Sequence, residues 1–448
     1  MTNGLPPSQT LLDVAADAVS RARAAGADAA EAEVSFGHSL SLIVRLGALE
    51  DVDQSEGQDL SLRLFVGQRS ASVSASDLSP DALNALVERA IAMARIAPEN
   101  PWTGLAPQDM LATGDLPDLD LFDHGAAPEP AALLAMACAA EDAARAVPGV
   151  TNSEGGSASS SRSARAHVTS HGFSGTSSAT SFSVSATVIA GEGSMMQRDY
   201  DYHSARHRAD LEAADAIGHS AGIRAVARLD PGRMTSGAMP VLYDPRVAGS
   251  LLSHAISAMS GAAIAKKRSF LRDRAGTRLF REDISLHDNP HRLRGLRSHG
   301  FDAEGLPTRP SALIAAGVLG PWLCDAASAR QLGLRPTGHA SSGGVTTGNL
   351  ALDPGTISRA ELMADIKHGV LVTELIGQGV DMLTGDYSRG ASGWRIIDGE
   401  IAGPVSGFTI AGNLLAMFAD LRCADDVKRR YSTHVPTLRT DAMMVAGD

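Results

Sequence analysis

Phe182-Ser183-Val184-Ser185-Ala186-Thr187-Val188 alternates apolar and hydroxyl-bearing side chains with a period of two. The stretch lies inside a long run, residues 151–190, that is full of Ser, Thr, Gly and Ala. Composition alone would class that run as low complexity. The period argues otherwise, because a strand sends successive side chains to opposite faces. We therefore read small-residue strands rather than disorder, and this reading decides the first half of the chain. Working outward, Leu60-Ser61-Leu62-Arg63-Leu64-Phe65 has the same period, Val66-Gly67-Gln68 reads as a turn, and residues 70–76 run back. Residues 34–36 and 40–44 add one or two strands.

Helices flank these strands. Residues 11–25 carry Leu, Val and Ala on a helical period, with Gly26 as a stop. Ser79 and Pro80 form a helix entry, and the helix is predicted to reach about Arg95. Residues 131–146 and 210–228 are two more helices, and the prolines between 96 and 129 mark a linker. In the second half, residues 239–243 and 369–375 read as strands and 245–265 as a helix. Residues 394–401 form a hairpin on Asp398-Gly399. Residues 408–413 lead into a helix ending near Leu421. The expected class is α+β. Residues 1–235 form an α/β domain with a mainly antiparallel sheet and flanking helices, and residues 236–448 form a β-rich domain, barrel- or sandwich-like. No period of 20 to 50 residues marks a solenoid.

The 448 residues are 44% hydrophobic but only 4% aromatic, so the core must rely on Ala, Val, Leu and Ile. The formal net charge of −12 repels phosphate backbones and argues against a nucleic-acid partner. The basic runs Lys266-Lys267-Arg268 and Lys428-Arg429-Arg430 are short and read as solvated faces. Cys138, Cys324 and Cys423 are far apart, odd in number and without a CxxC pair, which fits a reducing compartment and no disulfide framework. Residues 1–9 lack the basic start and apolar run of a signal peptide. No apolar run approaches the roughly 20 residues that cross a bilayer. The expected location is cytoplasmic, with no membrane partner.

Near the C-terminus, Gly385-Asp386-Tyr387-Ser388-Arg389-Gly390-Ala391-Ser392-Gly393 precedes Ile397-Asp398-Gly399-Glu400-Ile401, Pro404-Val405 and Thr409-Ile410-Ala411-Gly412-Asn413-Leu414. This series resembles the C-terminal signature of the TldD/PmbA family, also called modulator of DNA gyrase. Pro436-Thr437-Leu438-Arg439, Met444-Val445-Ala446-Gly447, Phe301-Asp302-Ala303-Glu304-Gly305 and Thr347-Gly348-Asn349-Leu350 are similar to further segments of its PmbA-like type. The N-terminal Ala27-Asp28-Ala29-Ala30-Glu31 and Asp77-Leu78-Ser79 also fit, so the likeness covers nearly the whole chain. The resemblance implies a peptidase made of two related subunits. One carries zinc on a His-Glu-x-x-x-His helix, helped by a downstream Cys; the PmbA-like, or TldE, type lacks a complete site. The pair is associated with trimming unfolded or short peptides, including a peptide-antibiotic precursor and an antitoxin.

Laid on that pattern, the helix Leu251-Leu252-Ser253-His254-Ala255-Ile256-Ser257-Ala258-Met259 puts His254 at the first His, Ala255 at the Glu and Met259 at the second His. Zinc hydrolysis needs three protein ligands, an open position for water and a carboxylate to take its proton. A methyl group transfers no proton, and a thioether is a poor zinc ligand. Leu252, Ala255, Ile256 and Met259 instead follow one apolar stripe, and His254 reads as a hydrogen-bonded structural histidine. Cys423 stands near the position of the catalytic type's ligand Cys, where a buried thiol is the plainer reading. The resemblance thus implies no catalytic residue and no metal in this chain. It implies zinc in a TldD-like partner, and a role for this chain in holding extended peptide by strand addition.

Competing readings are a stand-alone peptidase built on Cys423 with His254 or His434, and a non-catalytic peptide-binding homodimer. His287 and His291 are four apart, but Pro290 between them spoils helical ligand geometry. Ser392 reads as part of a Gly-rich turn without a base. Ser341-Ser342-Gly343-Gly344 reads as a turn that backbone N–H groups would let cradle an anion. Neither a Walker A nor a dinucleotide fingerprint occurs.

Overall fold

The computed structural model describes residues 5–447; residues 1–4 of the segment read above for a leader, and residue 448, lie outside it. The first half contains α1 (Ser8–Ala24), β1 (Ala29–Arg45), β2 (Ala48–Val66), β3 (Arg69–Ala75), α2 (Pro80–Ile96), α3 (Pro130–Arg145), β4 (Val150–Thr169), β5 (Ser174–Ala190), β6 (Gln197–Ala205) and α4 (Ala214–Ala227). The strands make one sheet, ordered β3-β2-β1-β4-β5-β6, antiparallel throughout. The run of small residues is therefore the long β4–β5 hairpin. Phe182, Val184, Ala186 and Val188 are buried as the period predicted. Residues 34–36 and 40–44 belong to one strand, β1, whose Ala30, Ala32 and Val34 meet α1 and α2 while Leu40, Leu42 and Val44 meet α3. Even spacing keeps all six on one face, so the helices cover one side of the sheet.

Small residues let these helices sit close. In α4, a Cβ at Gly218 would collide with the carbonyl oxygen of Ala140 in α3, and one at Gly222 would lie 2.6 Å from Val147 Cγ2. Close helix approach of this kind lets a core with so few aromatics exclude voids. Gly218→Val is expected to force α3 and α4 apart and cost about 1–3 kcal/mol, read as a lower urea midpoint at unchanged slope. The helix ends behave locally. Ser79 Oγ accepts from Ala82 N at 3.4 Å, with Pro80 in the first turn. The α4 helix begins at Ala214, later than its sequence pattern implied, because Asp210 is held in a short turn by Arg294.

The second half begins with β7 (Gly237–Ala238), β8 (Val241–Tyr243) and α5 (Pro245–Ala258). An eight-stranded sheet runs in the order Arg422–Cys423, Leu438–Thr440, β8, His368–Val380, Asp386–Ile397, Glu400–Asn413, Met443–Ala446, β7. Its two ends do not pair, so this β-rich part is not a closed barrel. A five-stranded sheet that includes Leu286–Asn289, Ser311–Ala315 and Asn349–Leu352 lies beside it. The architecture is α+β. Asp398 and Gly399 have φ of 49° and 82°, the two left-handed residues that a tight hairpin demands. Among the described residues, no helix is long and apolar enough to cross a membrane.

Two sequence expectations are corrected here. The helix over 245–265 is interrupted: α5 stops at Ala258, and Gly261–Ala265 forms a separate turn of helix. Leu323 causes the break, donating from its N to Met259 O at 3.0 Å and accepting from Gly261 N at 2.7 Å. Ser392 is not in a turn. It lies within the strand Asp386–Ile397 opposite Glu374, and the neighbouring Gly393 lets the backbone of Leu371 approach.

Candidate functional site

Asp244 starts α5 by accepting from Arg246 N at 3.0 Å, with Pro245 filling the first helical position. The helix enters the main apolar core, where Leu251, Leu252, Ala255, Ala258 and Met259 are fully buried. His254, half-buried, lies edge-on to Tyr387 with ring centroids 6.0 Å apart. Tyr387 and Arg389 are two apart on one strand, so both face this helix from the same side of the sheet. Arg389 is only 9% exposed and forms no ion pair among the described residues; its Nε donates to Ile376 O at 3.4 Å. Burial first, and then the Arg389 charge, hold His254 below the usual histidine range, so its ring is neutral near pH 7.

The reading of His254 as a hydrogen-bonded histidine is corrected, since its Nε2 is buried without a hydrogen-bond partner. That lone nitrogen is the one feature that invites a metal, but its surroundings do not fit zinc. The Ala255 methyl and the Met259 thioether, both at 0% exposure, are packed into the core. The formal charge that acts on the ring is the Arg389 guanidinium, which repels a dication. Among the described residues, no cluster of three or more His, Cys, Asp or Glu side chains is placed to hold a metal ion.

The remaining candidates stand in separate environments. Cys423 is buried in a two-residue strand paired with Leu438, and burial pushes its thiol up to about 12, far from the thiolate that ligation or attack requires. His434 Nε2 accepts from Arg292 Nη1 at 2.7 Å; burial, then Arg292 and Arg429, pull the ring down to about 4. His287 pairs with Asp353 at 3.2 Å and His291 with Thr308 Oγ1 at 3.1 Å, so these two histidines do not share a ligand. Residues 341–344 turn a short hairpin between Ala340–Ser341 and Gly344–Val345. Tyr387 and Arg389 have no role in the sequence motif that contains them. Their spacing of two within a strand-like run, facing the His254 helix, was the available signal.

Arg430 is also corrected. It was read as part of a solvated basic face, yet it is partly buried and pairs with Asp201 and Glu212, each at 2.8 Å. Lys266, Lys267 and Arg268 are exposed, as expected.

The chain matches family models over most of its length. Residues 30–94 match PmbA/TldA metallopeptidase domain 1, residues 123–229 the central domain, and residues 236–447 the C-terminal domain. It is 36% identical to Metalloprotease PmbA of Escherichia coli O157:H7, covering 94% of this chain and 92% of that one. It is 34% identical to a Metalloprotease PmbA homolog of Haemophilus influenzae, covering 98% and 97%. A crystal structure described as a modulator of DNA gyrase, from Bacteroides thetaiotaomicron, superposes with a TM-score of 0.90 at 27% identity over 97% of this chain and 98% of that one. TldE from Thermococcus kodakarensis shares the fold, with a TM-score of 0.84 at 20% identity over 97% and 100%. The fold and these matches together define a metallopeptidase-type α+β protein, and the chain belongs to the PmbA/TldD metallopeptidase family.

Proposed function

We propose that this chain is the non-metal subunit of a two-chain zinc metallopeptidase acting on unfolded or short peptides, with zinc carried by a TldD-like partner. One observation carries the reading: on α5 and at the residue that caps it, the side chains at the positions where the motif's Glu and second His would fall are a methyl and a thioether, both wholly buried in core. Two further facts support it. Arg389 gives the surroundings of His254 a positive charge, and the Cys423 thiol is held protonated. We take residues 1–235 and 236–448 as the two units and the cytoplasm as the location. The chain's part is to complete the substrate chamber and hold peptide in extended form. From Ala48 to Asp59, β2 pairs with β1 alone among the described residues, leaving one backbone edge open to strand addition.

The test is a peptidase assay on an unfolded protein, with this chain alone, with a His-Glu-x-x-x-His homologue from the same cell alone, and with both mixed. Activity of the mixture well above the sum of the two is expected. A mixture no more active than its parts would remove the basis of the partner role.

A further inference from the structure

A cavity of about 270 Å3 lies between β6, residues 292–296 and residues 429–434. Its wall holds Arg206, Arg292, Arg294, Arg429 and Arg430 beside the neutral His434, a concentration of positive charge on a chain whose net charge is −12. Two of these arginines are neutralised. Arg294 pairs with Asp120 at 2.6 Å and with Asp210, the acid in the cavity wall, at 3.0 Å. Arg430 pairs with Asp201 and Glu212.

The other three have no carboxylate partner among the described residues. Arg292 donates only to neutral acceptors: His434 Nε2 at 2.7 Å, Asn349 Oδ1 at 3.1 Å and the Tyr431 carbonyl at 3.0 Å. Arg206 donates to the carbonyls of Thr180 at 3.1 Å and Leu296 at 2.5 Å, while its Nε is buried without a partner. Arg429 is exposed at the rim and pairs with nothing described. Crowding guanidinium groups together, two of them half-buried, is unfavourable unless an anion joins them. Burial first, and then the Arg292 and Arg429 charges, depress the basicity of His434. Planar guanidinium groups lining a small cavity suit a planar carboxylate with two acceptor oxygens.

The cavity shares one wall residue, Arg206, with a second space. Arg206 forms part of the wall of an adjoining cleft of about 800 Å3, enclosed by residues 116–122, by β4 and β5, and by residues 298–301. A short extended peptide in that cleft could direct its end toward Arg206, the residue that the two walls share.

We propose that the Arg206–Arg292–Arg429 cavity binds the C-terminal carboxylate of a peptide lying in the adjoining cleft. This rests on the peptide-handling role proposed above and adds the feature by which the peptide is recognised. Free phosphate could use the same donors, but it would have no need of the cleft.

The experiment is calorimetric titration of the full chain with one pentapeptide as its free acid and as its C-terminal amide, and with inorganic phosphate. Because it uses this chain alone, it can fail while the mixing assay succeeds, and the reverse. The free acid is expected to bind roughly tenfold or more tightly than the amide, the effect of losing a charge-assisted hydrogen-bonded pair. Arg292→Gln should reduce that preference. Arg429→Gln should do so too, and this exposed side chain plays no part in folding contacts. Equal binding of acid and amide would overturn the proposal. So would an acid preference unchanged in both variants, or phosphate binding with no binding of the acid peptide.

Discussion

Asp199→Ala is expected to destabilise the fold by about 3–5 kcal/mol, the range for breaking a buried pair and leaving its cation alone. Asp199 lies on β6 at 3% exposure. It accepts from Arg246 Nη2 at 2.6 Å and from Arg228 Nη1 at 3.4 Å. Arg246 is in the first turn of α5, and Arg228 closes α4 and also bonds Glu374. One carboxylate therefore ties the edge of the N-terminal sheet to the helix that carries His254. Among the described residues Arg246 has no other carboxylate hydrogen bond, so the alanine variant leaves this largely buried cation with only the more distant charge of Asp244. Equilibrium urea unfolding measures the loss. Asp199→Asn, which keeps an acceptor, should lose less, and a change under 1 kcal/mol in the alanine variant would contradict the account.

The sign of its pH dependence follows. Burial pushes Asp199 up, but the Arg246 hydrogen bond and charge, helped by the Tyr200 N–H and Arg228, outweigh it and hold the carboxyl below the usual range. A depressed acid stabilises the fold above its unfolded value, near 3.9, and the contribution is lost as pH falls through the folded value. Asp199 therefore contributes fully at neutral pH and fades only in acid.

Glu304 behaves oppositely, and Glu304→Gln is expected to flatten the loss of stability that accumulates as pH rises from about 4.5 to about 8. Its side chain is 9% exposed, and Oε2 accepts from Ala326 N at 2.7 Å. Burial, and then the neighbouring acids Asp302, Asp325 and Glu31, push it from 4.5 up to about 8 against the opposing Ala326 N–H. Asp302 is raised as well, by burial. A raised acid holds its proton in the fold after the unfolded chain has lost it. Its stabilisation is complete below about 4 and is lost as pH rises through 8. Between pH 5 and pH 9 the wild-type chain should lose on the order of 2–5 kcal/mol. Gln keeps the acceptor for Ala326 and carries no charge, so the variant should equal the wild type near pH 5 and exceed it near pH 9. Parallel pH profiles for the two proteins would show that Glu304 is not the titrating group.

Neighbours in the chain decide some features of this fold, and distant residues decide others. The period of two at Phe182–Val188, the Ser79-Pro80 entry and the Asp398-Gly399 turn are decided by neighbours in the chain, and each lies in the structure where its chemistry required. The end of α5 was not legible, because Leu323 takes the backbone groups that would have continued the helix. Ser392 was misplaced because glycines that normally turn a chain here let two strands approach closely. Arg430 was assigned to solvent because its acids, Asp201 and Glu212, lie more than two hundred residues away in sequence, one of them on β6. The core roles of Ala255 and Met259 followed from helical spacing. The charge beside His254 did not, since Arg389 arrives from a different strand.

The central claim is that α5 carries no metal site of its own, and the zinc content of the isolated chain tests it most directly. After dialysis against buffered zinc and removal of free ion, elemental analysis should find far less than one zinc per chain, and His254→Ala should leave that content unchanged. One tightly held zinc per chain that disappears in His254→Ala would contradict the account.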